Sequence, residues 1–335
     1  MTALAFAPGR APAVTDNDAP NHWWRRHARM LSLASLLVAL GIAVLGAPSA
    51  AVQLAGLAVG VAVFGVPHGA LDHLLGRQLL RRHLGGFWIP AFFGGYLALA
   101  ALVLAAWWRF PVVALVLFLA ISAIHFGLGD VRRHLSTATL YPLEVAARGA
   151  LPIVAPMLAH PAEVGVLFGA LTGGPGPSEA ALWRYAAVLA AMLAPALSWT
   201  LLHHGGRLSG GAPRAHAEVI LEVLVLIAVF VLTPPLVAFL IYFCGWHSAR
   251  HTLETSEALL PGPLGRAVLR FAKLAAPLSL ATFALAALGW TLLTDRGLDA
   301  DPALLQVVFI GLAALTVPHM VLCAAAQNSR DDDAT

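Results

Sequence analysis

The segment His247-Ser-Ala-Arg-His251 sets two imidazoles four residues apart. On a helix, positions i and i+4 share a face, so both rings can reach one cation. The spacing alone is weak in a chain with 14 histidines, and it lacks the glutamate of the HExxH metalloprotease pattern. Three further segments share a layout: Gly65-Val-Pro-His68-Gly-Ala-Leu-Asp72-His73, Ile124-His125-Phe-Gly-Leu-Gly-Asp130 and Thr316-Val-Pro-His319-Met. In two of them proline precedes the histidine. A proline inside a helix frees a carbonyl and kinks the backbone, and a nearby glycine admits another backbone or a ligand, which suits a site between helices. Asp72, four residues after His68, could accept from that imidazole and fix its orientation; pairing with Arg77 or Arg132 is the equal alternative.

The strongest ligand candidates are His68, His125, His247 and His251. Imidazole ligation suits iron, copper, zinc or nickel, so ligand type alone does not choose among them. Four imidazoles around an octahedral ferrous ion would leave two positions open. Asp72, His73, Asp130, Glu144, His203 and His319 lie at a similar depth and could orient the ligands. Glu144 and Arg148, spaced i,i+4, are expected to pair; Asp130, Glu222 and Glu254 read as loop or helix-end charges. Phe64, Phe126, Tyr242, Phe243 and Trp246 stand beside candidate ligands and could line a substrate tunnel, while ordinary helix packing accounts for each taken singly.

The elements that must position these residues follow from composition. Charged residues make up 11% of the 335, against roughly 25% in soluble domains. Apolar runs recur from Met30 to Ala326, and mean hydropathy is +0.80. The class is all-α: a polytopic membrane bundle of about ten crossings, each of about 20 residues. The expected spans are 30–47, 51–75, 87–108, 111–129, 141–159, 180–203, 217–232, 234–252, 267–293 and 302–326, as one domain. Residues 1–29 read as a disordered cytoplasmic tail without a signal peptide and 327–335 as a cytoplasmic C-terminal tail. The stretch Thr172 to Ser178 reads as an external loop.

Lys and Arg stay on the cytoplasmic side of a membrane. With the N-terminus inside, only Arg109, Arg184 and Arg296 fall outside and Arg148 within the bilayer, which leaves 16 of the 20 basic residues inside. Both termini are then cytoplasmic. The excess of three basic residues is a topology signal and implies no nucleic acid. His68, His73, His125, His203, His204, His247, His251 and His319 gather near the inner face, all from even-numbered spans. His22, His27, His83, His134, His160 and His216 read as solvated. Cys244 and Cys323 lie in apolar runs and suggest no disulfide framework.

Pro67-His68-Gly69-Ala70-Leu71-Asp72-His73, Ile124-His125-Phe126-Gly127 with Asp130, Trp246-His247-Ser248-Ala249-Arg250-His251 and Pro318-His319-Met320 together resemble the Brp/Blh family of bacterial and archaeal β-carotene 15,15'-dioxygenases. The resemblance runs in order from about residue 60 to 325. It implies an integral protein of the bacterial cytoplasmic (inner) membrane that splits the central double bond of β-carotene with O2, giving two all-trans-retinal. It also implies non-haem Fe(2+) held at His68, His125, His247 and His251, with membrane lipid and a retinal-accepting opsin as partners. The chemistry agrees with the composition. A C40 hydrocarbon dissolves only in lipid, and the alkene itself supplies the electrons, so no nicotinamide or flavin site is required; no GxGxxG opens a helix. Two rival readings stand beside it: a di-iron membrane desaturase or hydroxylase, and a non-enzymatic histidine-relay transporter or haem-binding membrane protein.

Overall fold

The computed structural model describes residues 22–209, 213–260 and 262–332, and among these no strand occurs. The helices are α1 (His22–Leu45), α2 (Ala50–Gly60), α3 (Val66–Gly69), α4 (Asp72–Leu84), α5 (Trp88–Arg109), α6 (Pro111–Asp130), α7 (Leu140–Ala159), α8 (Pro161–Thr172), α9 (Glu179–Gly206), α10 (Pro213–Leu232), α11 (Pro235–Phe239), α12 (Ala249–Leu259), α13 (Leu264–Asp295) and α14 (Ala300–Asp332). A π-helix, Val61–Gly65, joins α2 to α3, and a second, Leu240–Ser248, joins α11 to α12.

Eight stretches are long and apolar enough to cross a membrane. One of them, Ala50–Arg109, has 60 residues. At 1.5 Å per residue a straight helix of that length would span about 90 Å, three times the hydrocarbon core. It breaks at Ala70–Leu71 and again at Gly85, where φ is +53°, so it holds two crossings. The rod from α11 to α12, of 5, 9 and 11 residues, stands apart from these eight. The Pro234-Pro235 break between α10 and α11 stands where the sequence places it.

Three features depart from the sequence reading. First, α1 begins at His22, inside the expected N-terminal tail, and α14 runs on to Asp332; the expected tail before residue 22 lies outside the described residues. Second, α4 is a helix in its own right, carrying Arg77, Arg81 and Arg82. Third, α8 occupies what was read as a connection after the fifth span. Pro161 at its first position has no N–H to lose, Glu163 lies in its first turn, and Gly173 closes it in the left-handed region at φ +69°.

Large exposed apolar side chains such as Leu37, Val44, Trp108 and Leu202 cover the outside, as a lipid-facing surface requires. The core joins Phe118 and Phe126 of α6 to Phe230, Tyr242, Phe243 and Trp246. Helix α6 lies close against α7 because a Cβ at Gly127 would collide with the Val145 carbonyl, and one at Gly149 with the Ala123 carbonyl. The two π-helices pack together in the same way: a Cβ on Gly65 would lie 2.7 Å from the Phe243 ring. Both π-turns end just before a histidine candidate, in line with the general siting of such turns at functional positions.

Candidate metal centre

The first π-helix delivers His68 on α3, immediately before the chain breaks at Ala70–Leu71. His247 lies in the last turn of the second π-helix, and His251 follows one turn later on α12. His125 comes from the last turns of α6, and His319 from α14 directly after Pro318. Five imidazoles from separate regions therefore meet. Ring centroids stand 5.9, 5.5 and 5.7 Å from His68 to His247, His251 and His319, and 4.6 and 5.2 Å from His125 to His247 and His319. His251 and His319 lie 5.5 Å apart.

The ligand atoms converge as well as the rings. One each from His68, His125 and His319 fall within 4.8 Å of one another. The Nε2 atoms of His125 and His247 are 2.9 Å apart. Two nitrogens each about 2.1 Å from a shared ion, at right angles, would stand about 3 Å apart, so this spacing suits common ligation. The backbone and a carboxylate fix two of the rings. His68 Nδ1–H donates to the Gly65 carbonyl, which leaves Nε2 free. His319 Nδ1 lies 2.9 Å from both oxygens of Asp72, whose Oδ2 also receives the Tyr96 hydroxyl at 3.2 Å. Asp72 thus serves His319 from the far end of the chain, in place of any partner the sequence offers, His68, Arg77 or Arg132. An all-imidazole set with a carboxylate behind one ring fits a divalent first-row metal.

One cavity opens on this cage and a second lies beside it. One, of about 500 Å³, is lined by His125, His247, His251 and His319 and reaches Arg132, His134 and Glu254 beyond the end of α6. The other, about 90 Å³, is apolar, running between α6, α7, α8, α11 and α14 from Phe126 to Leu171. Phe126 packs 5.0 Å from the His247 ring, and Phe243 stacks on His247 at 6.1 Å while meeting His68 edge-on.

A family model described as beta-carotene 15,15'-dioxygenase matches residues 59–326, which hold all five of these histidines. The chain belongs to the beta-carotene 15,15'-dioxygenase family. The beta-carotene 15,15'-dioxygenase of uncultured marine bacterium 66A03 is 32% identical over 259 residues, covering 76% of this chain and 87% of that one. The probable beta-carotene 15,15'-dioxygenase Blh of Halobacterium salinarum is 29% identical over 318 residues, covering 87% and 88%. No solved structure matches the chain.

Around the cage, this dioxygenase-family bundle carries a buried polar layer that the sequence reading largely missed. Arg148 reaches Glu144 on its own helix at 3.3 Å, as the spacing predicts, and also Glu222 of α10 at 3.3 Å. Arg250 grips Glu222 through both oxygens, at 3.2 and 2.5 Å, and lies over the Trp24 and Trp246 rings. Glu222 is therefore a buried ion-pair partner and not a helix-end charge. His216 is likewise buried and not solvated: its Nδ1 lies 2.6 Å from that of His204, which in turn meets Glu144 at 3.4 Å. His27 leaves the solvated set too, bonding the Gly245 carbonyl at 3.0 Å. Arg132, in the loop after α6, stacks over Trp24; burial first of all lowers its pKa to about 10, so it remains charged at neutral pH.

The remaining candidates separate by position. Asp130 accepts from the Tyr242 hydroxyl at 2.7 Å, and Tyr242 and Trp246 are fully buried in the core. His73 bonds the Ala70 carbonyl, and His203 the Leu135 carbonyl beside His204, so neither ring joins the cage. Of the tunnel candidates, Phe126 lines the apolar cavity, Phe243 walls the cage and Phe64 is 48% exposed on the outer surface. Phe239 and Phe309, which also line that cavity, carry no marker in the sequence beyond their apolar character.

Proposed function

We propose that the chain cleaves β-carotene at its central 15,15' double bond with O2, giving two all-trans-retinal, as an enzyme of the bacterial cytoplasmic membrane. The observation that carries this reading is the convergence of imidazoles from α3, α6, the second π-helix, α12 and α14 on one polar-lined cavity, with an apolar cavity behind Phe126. His68, His125, His247 and His251 would hold the metal, a non-haem ferrous ion. Such an ion supplies the binding and activation of dioxygen.

The protein's own part is positioning and exclusion. The apolar cavity offers a polyene a wall of Phe118, Leu119, Phe126, Phe168, Phe239 and Phe309 with only Ser122 as a side-chain hydroxyl. Phe126 stands between this cavity and the His247 ring, so a polyene held along it would lie beside the cage in a fixed line, which would lower the entropy lost on reaching the reactive geometry. Retinal, a lipid-soluble aldehyde, leaves for the bilayer or an opsin.

The di-iron reading fits less well. A second metal would need a second cluster, and the nearest candidate, His204 with His216 and Glu144, has the Arg148 guanidinium against the same carboxylate oxygen. The test is expression in a β-carotene-producing bacterium, followed by pigment extraction. Colour is expected to fade as retinal accumulates, and His247→Ala or His68→Ala should abolish this at unchanged protein level. Bleaching that persists in both variants refutes the ligand assignment, and unequal apocarotenals refute central cleavage.

A further inference from the structure

We propose that Tyr96 is a positioning residue of the metal centre, acting through Asp72 to hold His319 as a fifth metal-binding imidazole. The inference rests on the reading that the histidine cage holds a divalent metal, and it adds three residues to that site.

Tyr96 lies on α5, a helix that contributes no imidazole. Its single hydroxyl proton is shared between two acceptors, Asp72 Oδ2 at 3.2 Å and the Leu315 carbonyl at 3.3 Å. Leu315 sits one turn before His319 on α14, so this hydroxyl ties the start of α4 to the turn that carries the imidazole. The ring is itself held: Phe92, one turn earlier, packs 5.7 Å from it and fills a slot over Gly76 that a Cβ would close. Asp72, only 8% exposed, opens α4, where the unpaired N–H groups and dipole of a helix start favour a carboxylate.

The consequence falls on His319. A carboxylate accepts but cannot donate, so both 2.9 Å contacts require the proton on Nδ1 and leave Nε2 as the free donor atom. A carboxylate behind the non-ligating nitrogen is the usual support of a metal-binding imidazole: it fixes tautomer and ring plane and raises basicity. His319 is 4% exposed and touches the His68, His125 and His251 rings. The Cys323 thiol lies 3.6 Å from that Nε2.

Cobalt(II) titration of the detergent-purified apoprotein, followed by visible absorption, separates these arrangements without any turnover. His319→Ala is expected to lose at least 100-fold in cobalt affinity and to change the band pattern. Tyr96→Phe and Asp72→Asn should each weaken binding by roughly 10- to 100-fold. The double variant should be no weaker than Asp72→Asn alone, since both act through one contact; a role confined to helix packing would make the losses additive. Wild-type affinity and spectrum in His319→Ala overturn the fifth ligand, and wild-type affinity in Tyr96→Phe overturns the positioning role. If Tyr96→Phe does not fold, Asp72→Asn carries the test, and unchanged affinity there is equally fatal. Wild-type protein that takes up no cobalt defeats the metal-centre reading itself, whereas cobalt binding without carotene cleavage defeats only the proposed reaction.

Discussion

Glu222 shows how a single buried carboxylate organises this interior. It is 3% exposed and paired with Arg148 and Arg250, so it compensates Arg250 and shares Arg148 with Glu144. Removing one member of a buried ion pair leaves the others uncompensated, at about 3–5 kcal/mol. Glu222→Gln should therefore lower the melting temperature sharply in detergent, while Glu163→Gln, at a half-exposed carboxylate, should leave it near wild type. Equal melting of the two variants would remove Glu222 from this role. The same residue marks the reach of sequence reading. The Glu144–Arg148 pair is legible because i,i+4 neighbours share a helix face, but Glu222 meets Arg148 across 74 positions and Arg250 across 28. Local spacing carries no sign of either. The segments that hold His68, His125, His247, His251 and His319 were legible at one depth; the contact of His319 with Asp72, 247 positions away, was not.

At the scale of elements, the α6–α7 contact governs the placing of His125. The two helices touch through Gly127 and Gly149, where any Cβ would run into a facing carbonyl. Backbone atoms cannot swing aside as a side chain can, so Gly149→Ala must part the helices. Overpacking of this kind costs typically 1–3 kcal/mol. The expected outcome is a lower melting temperature together with reduced metal content, because α6 carries both the contact and the ligand. Gly94→Ala, on α5 with open space at its Cβ, is the matched control and should retain both. Metal content of the Gly149 variant at the control's level would show that the crossing does not set the cage. The Pro234-Pro235 break and most spans were readable from apolar run length. The π-turns were not, since one extra residue per turn leaves hydropathy unchanged, and α8 is a 12-residue helix too short to announce itself as a crossing.

At the scale of the whole molecule, the two cavities give the centre two different neighbourhoods. The larger, about 500 Å³, ends at Arg132, His134 and Glu254, on the face where the positive-inside pattern gathers its arginines. A chelator that cannot cross lipid should therefore strip metal faster from inverted membrane vesicles, whose cytoplasmic face is outward, than from right-side-out ones. Equal rates from both preparations would contradict this route. The all-α architecture was legible from composition; which end of it holds the larger, polar-lined cavity was not, because that depends on how helix ends splay.

The cage also has a timetable. His68 is translated early and His319 comes from the final crossing, with Asp72 waiting across 247 positions for its partner. A nascent chain halted before α14 inserts lacks the wall that closes the centre. Retention of the ion in its finished surroundings must then follow completion of the polypeptide, and a ribosome-bound fragment ending before residue 300 should release it readily.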